Sequence, residues 1–562
     1  MGNVVYGSEQ MGIFYKTPIL GHMAGIFGIR GTTRRMFQRR YALAALVVWL
    51  AFFQATPALA ANEKLELTVV DAETGQVIPC RIHLRDNRNK PRRVGRFPSL
   101  GDHFASGGQI TFQLPVGSYG FAIERGPEYV LRTGHFTLQK FSDDAKTVDL
   151  KRIVDMKREG WWSGDLHVQR PVEEIQALME AEDLHVAAVV TWTNKASLWN
   201  RRDLPEAPVL RFDNDRYCEL LAGRDERAAG TLLFFNIKQP PHVQAGPSGS
   251  DAAQSPSFAT MPAANAARPT PAELAAAVRR EGGWVDVENP FSPDLPVLLA
   301  EGLIDSFQLV HGDLQREKTV NTDVARFLQG KEQRPGPLAA GEWAQRIYYH
   351  LLEAGFRVPP SAGSGSGVSE NPVGYNRMYV QLEGPLTWEA WWDGFRAGRV
   401  MVTNGPLLRP VVEGQYPGHV FTAAEGETLH LHTALNLSAR ETIQYLEIVQ
   451  NGRVAHVVRL TDLVRDNGRL PPLTFTESGW FLIRAVAENN TTFRFGSTAP
   501  YYVEIGGKPR ISRLAAEFVL DWVESRLNAV EKAGTAADPA IRAELQSARR
   551  FWQDRVRDAN AE

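Results

Sequence analysis

The chain has few cysteines, no excess of one charge and no hydrophobic run long enough for a comfortable membrane span. Only Cys80 and Cys218 occur in 562 residues. They fall in segments that we assign to different domains, so a disulfide is not required. Lys and Arg number 62 against 64 Asp and Glu, which gives no field that attracts nucleic acid or an anionic membrane. A small-molecule partner is therefore favoured, and the oligomeric state stays open.

Residues 1–60 have the features of an N-terminal extension with an export signal. Basic residues between positions 34 and 40 precede an apolar run at 41–53, and Ala58-Leu59-Ala60 follows. Because the run is short for a membrane span, we predict cleavage after Ala60 and a periplasmic or extracellular protein without a stable span. An uncleaved anchor is the alternative. Residues 33–37 fit either a twin-arginine signal or an ordinary basic segment.

Residues 61–155 alternate short hydrophobic strands with turns, as in the run from Gln109 to Leu114. This alternation predicts an antiparallel β-sandwich. The segment resembles carboxypeptidase regulatory-like modules, which are mostly spacers or binding surfaces. We therefore interpret His83 and His103 as surface or core histidines and not as metal ligands.

Residues 156–408 change to a rhythm of strands and helices, with apolar strands such as Val186 to Val190 and Asp305 to Val310. That rhythm predicts βαβ organisation, with the chemistry at the carboxyl ends of the strands, and a barrel accounts for the repetition best. An insertion at 239–270 is rich in Pro, Ala, Ser and Gly and poor in large apolar residues. It predicts a solvated linker, with a lid as the alternative.

The last part of the chain returns to strands and then to helices. Alternating runs at 409–507 predict a second β-sandwich. Residues 508–562 have helical periodicity and predict a docked helical hairpin. The apolar stripe of its first helix consists of Leu514, Phe518, Trp522 and Leu527.

The segment Gly164 to Arg170 reads Gly-Asp-Leu-His-Val-Gln-Arg. Side chains alternate between the faces of a strand, so Asp165, His167 and Gln169 share one face. Carboxylate and imidazole groups at a strand end are suited to hold a divalent metal that activates water. A hydrogen-bonded polar strand end is the alternative interpretation.

Two further motifs, Ser361 to Gly367 and Gly394 to Pro406, accompany this strand. Together they make the region from Trp161 to Leu408 resemble the CehA/McbA metallohydrolases of the PHP superfamily. The resemblance implies a PHP-like distorted (β/α)7 barrel and hydrolysis of ester or phosphoester bonds by a metal-bound hydroxide. The expected fold class is therefore multidomain α/β plus all-β, with the barrel flanked by β-sandwich domains and a C-terminal helical tail.

Most ligand positions depart from the pattern that the resemblance implies. Gln169 stands in place of a histidine, 191–193 reads Thr-Trp-Thr in place of Thr-Asp-His, and Gly365 and Gly367 replace the last two ligands. Loss of even a supporting group weakens metal binding by about 10- to 100-fold, so ordinary metal catalysis is not expected. We expect the glycines to leave room and free backbone N–H groups for a ligand.

A reduced site remains as a hypothesis. Asp165, His167 and Glu288 are the candidate catalytic residues, and with His311 they are tentative ligands of a zinc or manganese ion. Absence of any metal is the equal alternative. The candidate substrate-binding residues, each of which also fits a loop-capping role, are Gln169, Arg170, Asn194, Asn371, Tyr375, Asn376, Arg377 and Asn404.

Two functions remain open at the level of sequence, beside a structural scaffold that only the β-sandwiches suggest. The first is an exported hydrolase of ester or phosphoester bonds with a degenerate metal site. The second is a catalytically silent domain that binds a carbohydrate or another small molecule. The losses of metal ligands favour the second function, and the family resemblance favours the first.

Overall fold

The computed structural model describes residues 62–141, 143–227, 231–240, 269–328, 336–532 and 539–562. The predicted export signal at 1–60 lies outside these ranges, as does most of the predicted insertion at 239–270. Strands hold 38% of the structure and helices 24%, so the protein is mainly β-sheet. Among the described residues, no helix combines the length and the apolar character needed to cross a membrane.

The N-terminal module consists of two facing sheets. Its strands are β1 (Asn62–Asp71), β2 (Cys80–Asp86), β3 (Ser99–Leu100), β4 (His103–Ser106), β5 (Gln109–Pro115), β6 (Gly117–Glu124), β7 (Arg132–Leu138) and β8 (Asp143–Leu150). One sheet has the order β5-β1-β8 and the other β3-β4-β2-β6-β7. In β5, Ile110 and Phe112 are buried and the polar residues between them are exposed. They share a core with Ile82 and Phe104 of the other sheet, which makes the module a β-sandwich.

One large mixed sheet follows. The strands of this region are β9 (Trp161–Val168), β10 (Val186–Thr193), β11 (Val209–Phe212), β12 (Arg216–Asp225), β13 (Leu232–Phe235), β14 (Trp284–Val287), β15 (Ser306–Val310), β16 (Pro360–Ala362), β17 (Arg377–Gln381), β18 (Val400–Thr403), β19 (Leu407–Val412), β20 (Val420–Ala423), β21 (Leu429–Leu431), β22 (Thr433–Ser438), β23 (Ile443–Gln450), β24 (Arg453–Val458), β25 (Leu473–Phe475), β26 (Gly479–Ala487), β27 (Phe495–Thr498) and β28 (Tyr501–Ile505). The sheet order is β16-β15-β14-β13-β12-β10-β9-β17-β18-β27-β26-β23-β24, while β11, β20 and β28 join it at the side. The pairs β19-β22 and β21-β25 stand apart from it.

Six strands of the large sheet run in one direction. β9, β10 and β12 are parallel neighbours, and β14, β15 and β16 form a second parallel set. β13 is antiparallel to both β12 and β14, so the two sets point the same way. Their carboxyl ends therefore lie at one edge of the sheet, where ligand sites of α/β sheets are commonly found.

The predicted fold class is wrong for the central region. We expected seven βα units that close into a separate barrel between two sandwiches. The connection from β10 to β12 instead carries β11 and a short 3-10 helix at Leu198–Asn200. The sheet also continues from β9 through β17 and β18 into β27 and β26, so strands of both predicted domains share it. Hydrophobic alternation reports the buried face of a strand and not the direction of its neighbours, which explains the error.

The helices cover the large sheet and the C-terminal end of the chain. They are α1 (Ile175–Ala181), α2 (Pro271–Arg280), α3 (Leu295–Ala300), α4 (Thr322–Phe327), α5 (Ala339–Glu353), α6 (Trp388–Arg396), α7 (Leu460–Arg465), α8 (Arg513–Lys532) and α9 (Pro539–Arg557). Val519 and Val523 of α8 and Trp552 of α9 belong to the core of the large sheet. The predicted stripe is wrong at Leu514, whose side chain is 54% exposed, because the buried face of α8 begins one residue later at Ala515.

Both cysteines are free and buried. Cys80 belongs to the core of the N-terminal sandwich and Cys218 to a cluster around β10 and β12. Burial raises the pKa of the Cys80 thiol to about 12 and that of Cys218 even further. Both thiols therefore act as small apolar core groups.

Glu219 of β12 is a buried carboxyl group that makes stability depend on pH. Its Oε1 accepts the N–H of Asn236 at 2.6 Å, and among the described residues its Oε2 has no hydrogen-bond partner. Burial raises the pKa of Glu219 to about 8. A carboxyl group with a raised folded pKa loses stabilising free energy as the pH rises from about 4.5 to about 8, because the charged form is disfavoured in the fold.

We therefore expect Glu219→Gln to be more stable than the wild type at pH 8 by about 2 to 5 kcal/mol, with the difference shrinking towards zero near pH 4.5. Urea unfolding at several pH values measures it. Glu383→Gln, at an exposed position, should change the free energy of unfolding by less than about 0.5 kcal/mol at every pH. A Glu219→Gln effect that does not change with pH would contradict the assignment.

Candidate ligand-binding site at the ends of the central strands

Polar side chains converge at the edge where the six parallel strands end. His167 lies near the end of β9, Arg224 near the end of β12, Glu288 directly after β14 and His311 directly after β15. Gln169 lies just beyond β9. We call these five residues the polar cluster; the contacts below join four of them, and His311 is linked to them through the charge of Glu288.

His167 is a neutral imidazole held between two neighbours. Its side chain is 1% exposed, and its Nδ1 lies 3.2 Å from Oε1 of Glu288. The amide Nε2 of Gln169 donates to Nε2 of the imidazole at 3.2 Å. Burial lowers the pKa of His167 to about 4, so the ring is neutral at pH 7. Since Nε2 accepts a hydrogen bond, the ring proton lies on Nδ1, which is close to Glu288 but makes no hydrogen bond of regular geometry with any described residue.

Glu288 is locked by an arginine. Nε and Nη2 of Arg224 donate to the two carboxylate oxygens at 2.6 and 2.9 Å, which is the bidentate geometry of a strong ion pair. Burial alone would raise the pKa of Glu288, but the charge and hydrogen bonds of Arg224 outweigh it and lower the pKa to about 2. Glu288 is therefore a permanently charged partner of Arg224 and a weak base.

Asp313 adds a second carboxyl group beside the cluster. Burial raises its pKa to about 7, and the charges of Asp323 and Glu288 act in the same direction. Burial also lowers the pKa of His311 to about 4, although the charge of Glu288 opposes this. At neutral pH the edge therefore carries a charged Glu288, a neutral His311 and an Asp313 that is half protonated.

Asp165 supports the backbone around the cluster. Its Oδ1 accepts the N–H groups of His167 and Ser364 at 3.0 and 2.9 Å, and its Oδ2 accepts that of Gly374 at 2.7 Å. Burial raises the pKa of Asp165 to about 6, and these hydrogen bonds limit the rise. Both oxygens are used within the protein, so Asp165 fixes two loops to the end of β9.

Asp286 has a comparable role on β14. The hydroxyl groups of Ser306 and Ser361 donate to its Oδ1, and Nε2 of Gln308 donates to its Oδ2 at 3.1 Å. It therefore joins β14 to β15 and β16 beneath the polar cluster and does not reach the cluster itself.

The polar cluster and Asp165 do not fit the zinc or manganese ion that the resemblance implies. Such ions need several carboxylate oxygens or imidazole lone pairs that converge without competing partners. Here the oxygens of Asp165 accept backbone N–H groups and those of Glu288 accept a guanidinium. Across the described ranges, three potential ligand atoms lie within 4.8 Å of one another at His83, Asp102 and His103, far from this cluster in sequence. The metal role expected here finds no support in the geometry.

The glycine-rich loop after β16 packs tightly against β9. A Cβ atom at Gly363 would lie 2.5 Å from Cβ of His167, and one at Gly367 would lie 2.0 Å from the carbonyl oxygen of Gln169. The N–H of Gly365 donates to the carbonyl of His167 at 2.9 Å. Our expectation is therefore wrong for the room at Gly367 and for a free N–H at Gly365. They are small because the loop lies against the strand.

Three of the predicted substrate-binding residues hold the protein's own backbone. Arg170 donates to a carbonyl oxygen of the N-terminal sandwich at 3.0 Å. Oδ1 of Asn194 accepts the N–H of Glu226 at 3.0 Å. Asn404 joins a backbone carbonyl and a backbone N–H near β27, at 3.0 and 2.8 Å. These three side chains have the loop-capping role that was the alternative to ligand binding.

The predicted binding residues before and within β17 are also structural in their visible contacts. Nδ2 of Asn371 donates to two backbone carbonyls at 3.3 and 3.0 Å, and Nδ2 of Asn376 donates to the carbonyl of His311 at 2.8 Å. Arg377 is fully buried and donates to backbone carbonyls. The ring of Tyr375 lies 5.9 Å from an arginine guanidinium. Asn371 and Asn376 hold the backbone at and after His311, whereas Gln169 belongs to the cluster.

Sequence reasoning missed Arg224 and Asp313. Arg224 is 64 residues from Glu288 in the chain, and no local sequence pattern predicts a contact between residues so far apart. Asp313 follows His311 by two residues at the same strand end, so the placement of polar residues after β15 was the available signal. The interpretation at that point considered His311 alone.

No protein-family model matches the sequence, and no curated protein matches it. A segment covering 20% of this chain is similar to 20% of the Bacillus anthracis TIE protein, with 19% identity and a TM-score of 0.14. A segment covering 16% of this chain is similar to 30% of BcpA, the major pilin subunit of Bacillus cereus, with 17% identity and a TM-score of 0.14. This chain therefore spans less than a third of either protein, and these partial likenesses carry no inference about the cluster.

Proposed function

We propose that this is an exported binding protein whose polar cluster recognises a small hydroxyl-rich molecule of the carbohydrate class without metal-dependent hydrolysis. One observation carries the proposal. The three candidate catalytic groups are each engaged by protein partners, namely Asp165 by backbone N–H groups, Glu288 by Arg224, and His167 by Gln169. Such groups are poor metal ligands and well-ordered hydrogen-bonding partners.

The rim of the cluster supports a polar ligand. Gln169, Arg224 and Asp313 are partly exposed, while His167 and Glu288 lie beneath them. An amide, a guanidinium and a carboxyl group together offer both donors and acceptors, which is what a vicinal hydroxyl pair needs. A few convergent polar groups of this kind fix the orientation of small molecules in protein sites.

Saccharide binding tests the proposal. We expect at least one of glucose, galactose, mannose, N-acetylglucosamine, maltose and cellobiose to raise the melting temperature and to give a binding isotherm in calorimetry. Asp313→Asn and Gln169→Ala should each weaken that binding by about 10-fold, the value of one or two hydrogen bonds. His135→Ala, at an exposed position in the N-terminal sandwich, should leave it unchanged. No response to any saccharide, or equal affinities in all variants, would contradict the proposal.

A second candidate function, hydrolysis without a metal, is favoured by one different observation. The pKa of Glu288 is lowered to about 2 and that of Asp313 is raised to about 7. A carboxyl group with a pKa near 7 beside one that stays charged fits a proton donor next to a fixed negative charge. Here Asp313 would be the proton donor to the leaving group of an ester or phosphoester.

Turnover of phenyl acetate and diphenyl phosphate in excess chelator tests this second function, because a phenolate leaving group with a pKa of about 10 gains from a proton donor. If Asp313 is a general acid, Asp313→Asn should lower kcat/KM by about 10² to 10⁴, and activity should fall as the pH rises through about 7. The matched control is Asp143→Asn, an exposed carboxyl group of β8. Turnover that is equal in both variants would exclude Asp313 from catalysis.

A further inference from the structure

Two histidines of the N-terminal sandwich face each other across neighbouring strands. β2 and β4 are antiparallel, and His83 lies directly opposite His103 in their register. Directly opposed residues on one face lie close enough for their side chains to interact, and the two ring centroids are 5.2 Å apart. Both side chains are buried. Asp102, in the turn before β4, brings a carboxylate to the same place.

The three side chains converge on one carboxylate oxygen. Nδ1 of His83 lies 3.1 Å from Oδ1 of Asp102, and Nδ1 of His103 lies 3.5 Å from the same oxygen. Ligand atoms on a tetrahedral zinc ion, with bonds of about 2.0 to 2.2 Å, lie about 3.4 Å apart. The two distances lie on either side of that value. One candidate ligand atom of each of the three residues lies within 4.8 Å of the other two.

The surroundings orient these groups in the manner of a metal site. Arg85 donates to Oδ2 of Asp102 at 2.6 Å, which leaves Oδ1 directed at the two imidazoles. Nε2 of His83 lies 3.4 Å from Oε1 of Glu124, and Arg81 pairs with that glutamate at 3.0 Å. Histidines that bind metals commonly direct their second ring nitrogen at a carboxylate.

His83 has a carboxylate near each of its ring nitrogens. A neutral imidazole has one N–H and one lone pair, yet His83 has Asp102 at one nitrogen and Glu124 at the other. With the ring proton on Nδ1 and donated to Oδ1 of Asp102, Nε2 has no hydrogen-bond partner among the described residues. A cation bound between Nδ1 and Oδ1 would leave the ring proton on Nε2, where it faces Glu124.

We propose that His83, Asp102 and His103 bind one divalent zinc ion through Nδ1, Oδ1 and Nδ1. Two imidazoles and one carboxylate are a common ligand set for zinc. Asp102 is 29% exposed in its side chain, so the fourth position faces outward and takes water or an external ligand. Glu124 also pairs with Arg316 at 2.6 Å, so the ion sits where the sandwich contacts the rest of the chain.

Zinc titration of the whole chain after chelator treatment tests this site. Calorimetry and elemental analysis should give one zinc ion per chain. His103→Ala and Asp102→Asn should each weaken zinc binding by at least about 100-fold, because each removes a direct ligand. His432→Ala is the matched control, since His432 pairs with Glu413 at 2.8 Å on an exposed surface and no third candidate ligand joins them among the residues that the structure describes. It should bind zinc as the wild type does.

X-ray absorption of the zinc-loaded wild type keeps the test independent of variant folding. The expected spectrum has two imidazole ligands and oxygen ligands at about 2.0 to 2.2 Å. Failure of the wild type to bind zinc stoichiometrically, equal zinc affinity in all three variants, or a spectrum without imidazole would overturn the proposal.

Discussion

Arg224→Ala is expected to destabilise the protein by about 3 to 5 kcal/mol at pH 7. Removing one partner of a buried ion pair leaves the other charge without compensation, and Glu288 is only 10% exposed in its side chain. Arg224 supplies two hydrogen bonds to that carboxylate, at 2.6 and 2.9 Å. Urea unfolding at pH 7 measures the change, and the pKa of Glu288 should rise in the variant.

The double variant Arg224→Ala/Glu288→Gln separates this effect from lost packing. It should recover a large part of the stability, since no buried charge is left unpaired. Arg202→Ala is the matched control, because Arg202 and Glu173 form an exposed pair at 2.7 Å and such pairs contribute at most about 1 kcal/mol. An Arg224→Ala effect as small as that of Arg202→Ala would mean that Glu288 is not held as described.

Glu288 also makes the free energy of unfolding depend on pH in the acid range. Its pKa in the fold is lowered to about 2, so its contribution is complete above the unfolded pKa of about 4.3. The contribution is lost as the pH falls from about 4.3 towards 2, because protonation breaks the pair with Arg224. Arg224→Ala should therefore differ from the wild type mainly above pH 4, and the difference should shrink in acid.

Gly367→Ala is expected to destabilise the protein by about 2 to 6 kcal/mol. The new Cβ atom would lie 2.0 Å from the carbonyl oxygen of Gln169, so the loop would have to leave β9. The φ angle of 103° adds strain for a residue with a side chain. Overpacking and backbone strain each cost about 1 to 3 kcal/mol, and here they act together.

Gly282→Ala measures the cost of backbone strain alone, without a steric clash. Gly282 has a φ angle of 82°, and no atom lies within 4 Å of its virtual Cβ. Its loss of stability should be about 1 to 2 kcal/mol, well below that of Gly367→Ala. Equal effects at the two positions would show that the loop after β16 does not lie against β9 as closely as the structure has it.

Local patterns of the sequence were enough for the strands and not for their arrangement. The alternation from Gln109 to Leu114 predicted β5, and the apolar run from Val186 to Val190 predicted β10. The same patterns do not show which strands pair. The sequence therefore predicted neither the antiparallel direction of β13 nor the continuation of the sheet into β27 and β26. Pairing depends on contacts between segments far apart in sequence, and alternation carries no information on them.

The candidate site was likewise predictable only in part from local sequence patterns. Strand alternation correctly placed His167 and Gln169 on one face, where their side chains touch. It did not reveal that Arg224 meets Glu288 or that backbone N–H groups use Asp165, since those contacts depend on the folded sheet. His83 was interpreted as a surface or core residue because its partner across the strands depends on register.

The state of His167 tests the central claim most directly. Nitrogen NMR of histidine-labelled protein, with His167→Asn used for assignment, reports which ring nitrogen carries the proton. Between about pH 5 and 8 we expect a neutral ring with its proton on Nδ1 and a lone pair on Nε2, unchanged by added zinc. A proton on Nε2, titration near pH 7, or a zinc-dependent shift of His167 would contradict an imidazole held by Gln169 and Glu288.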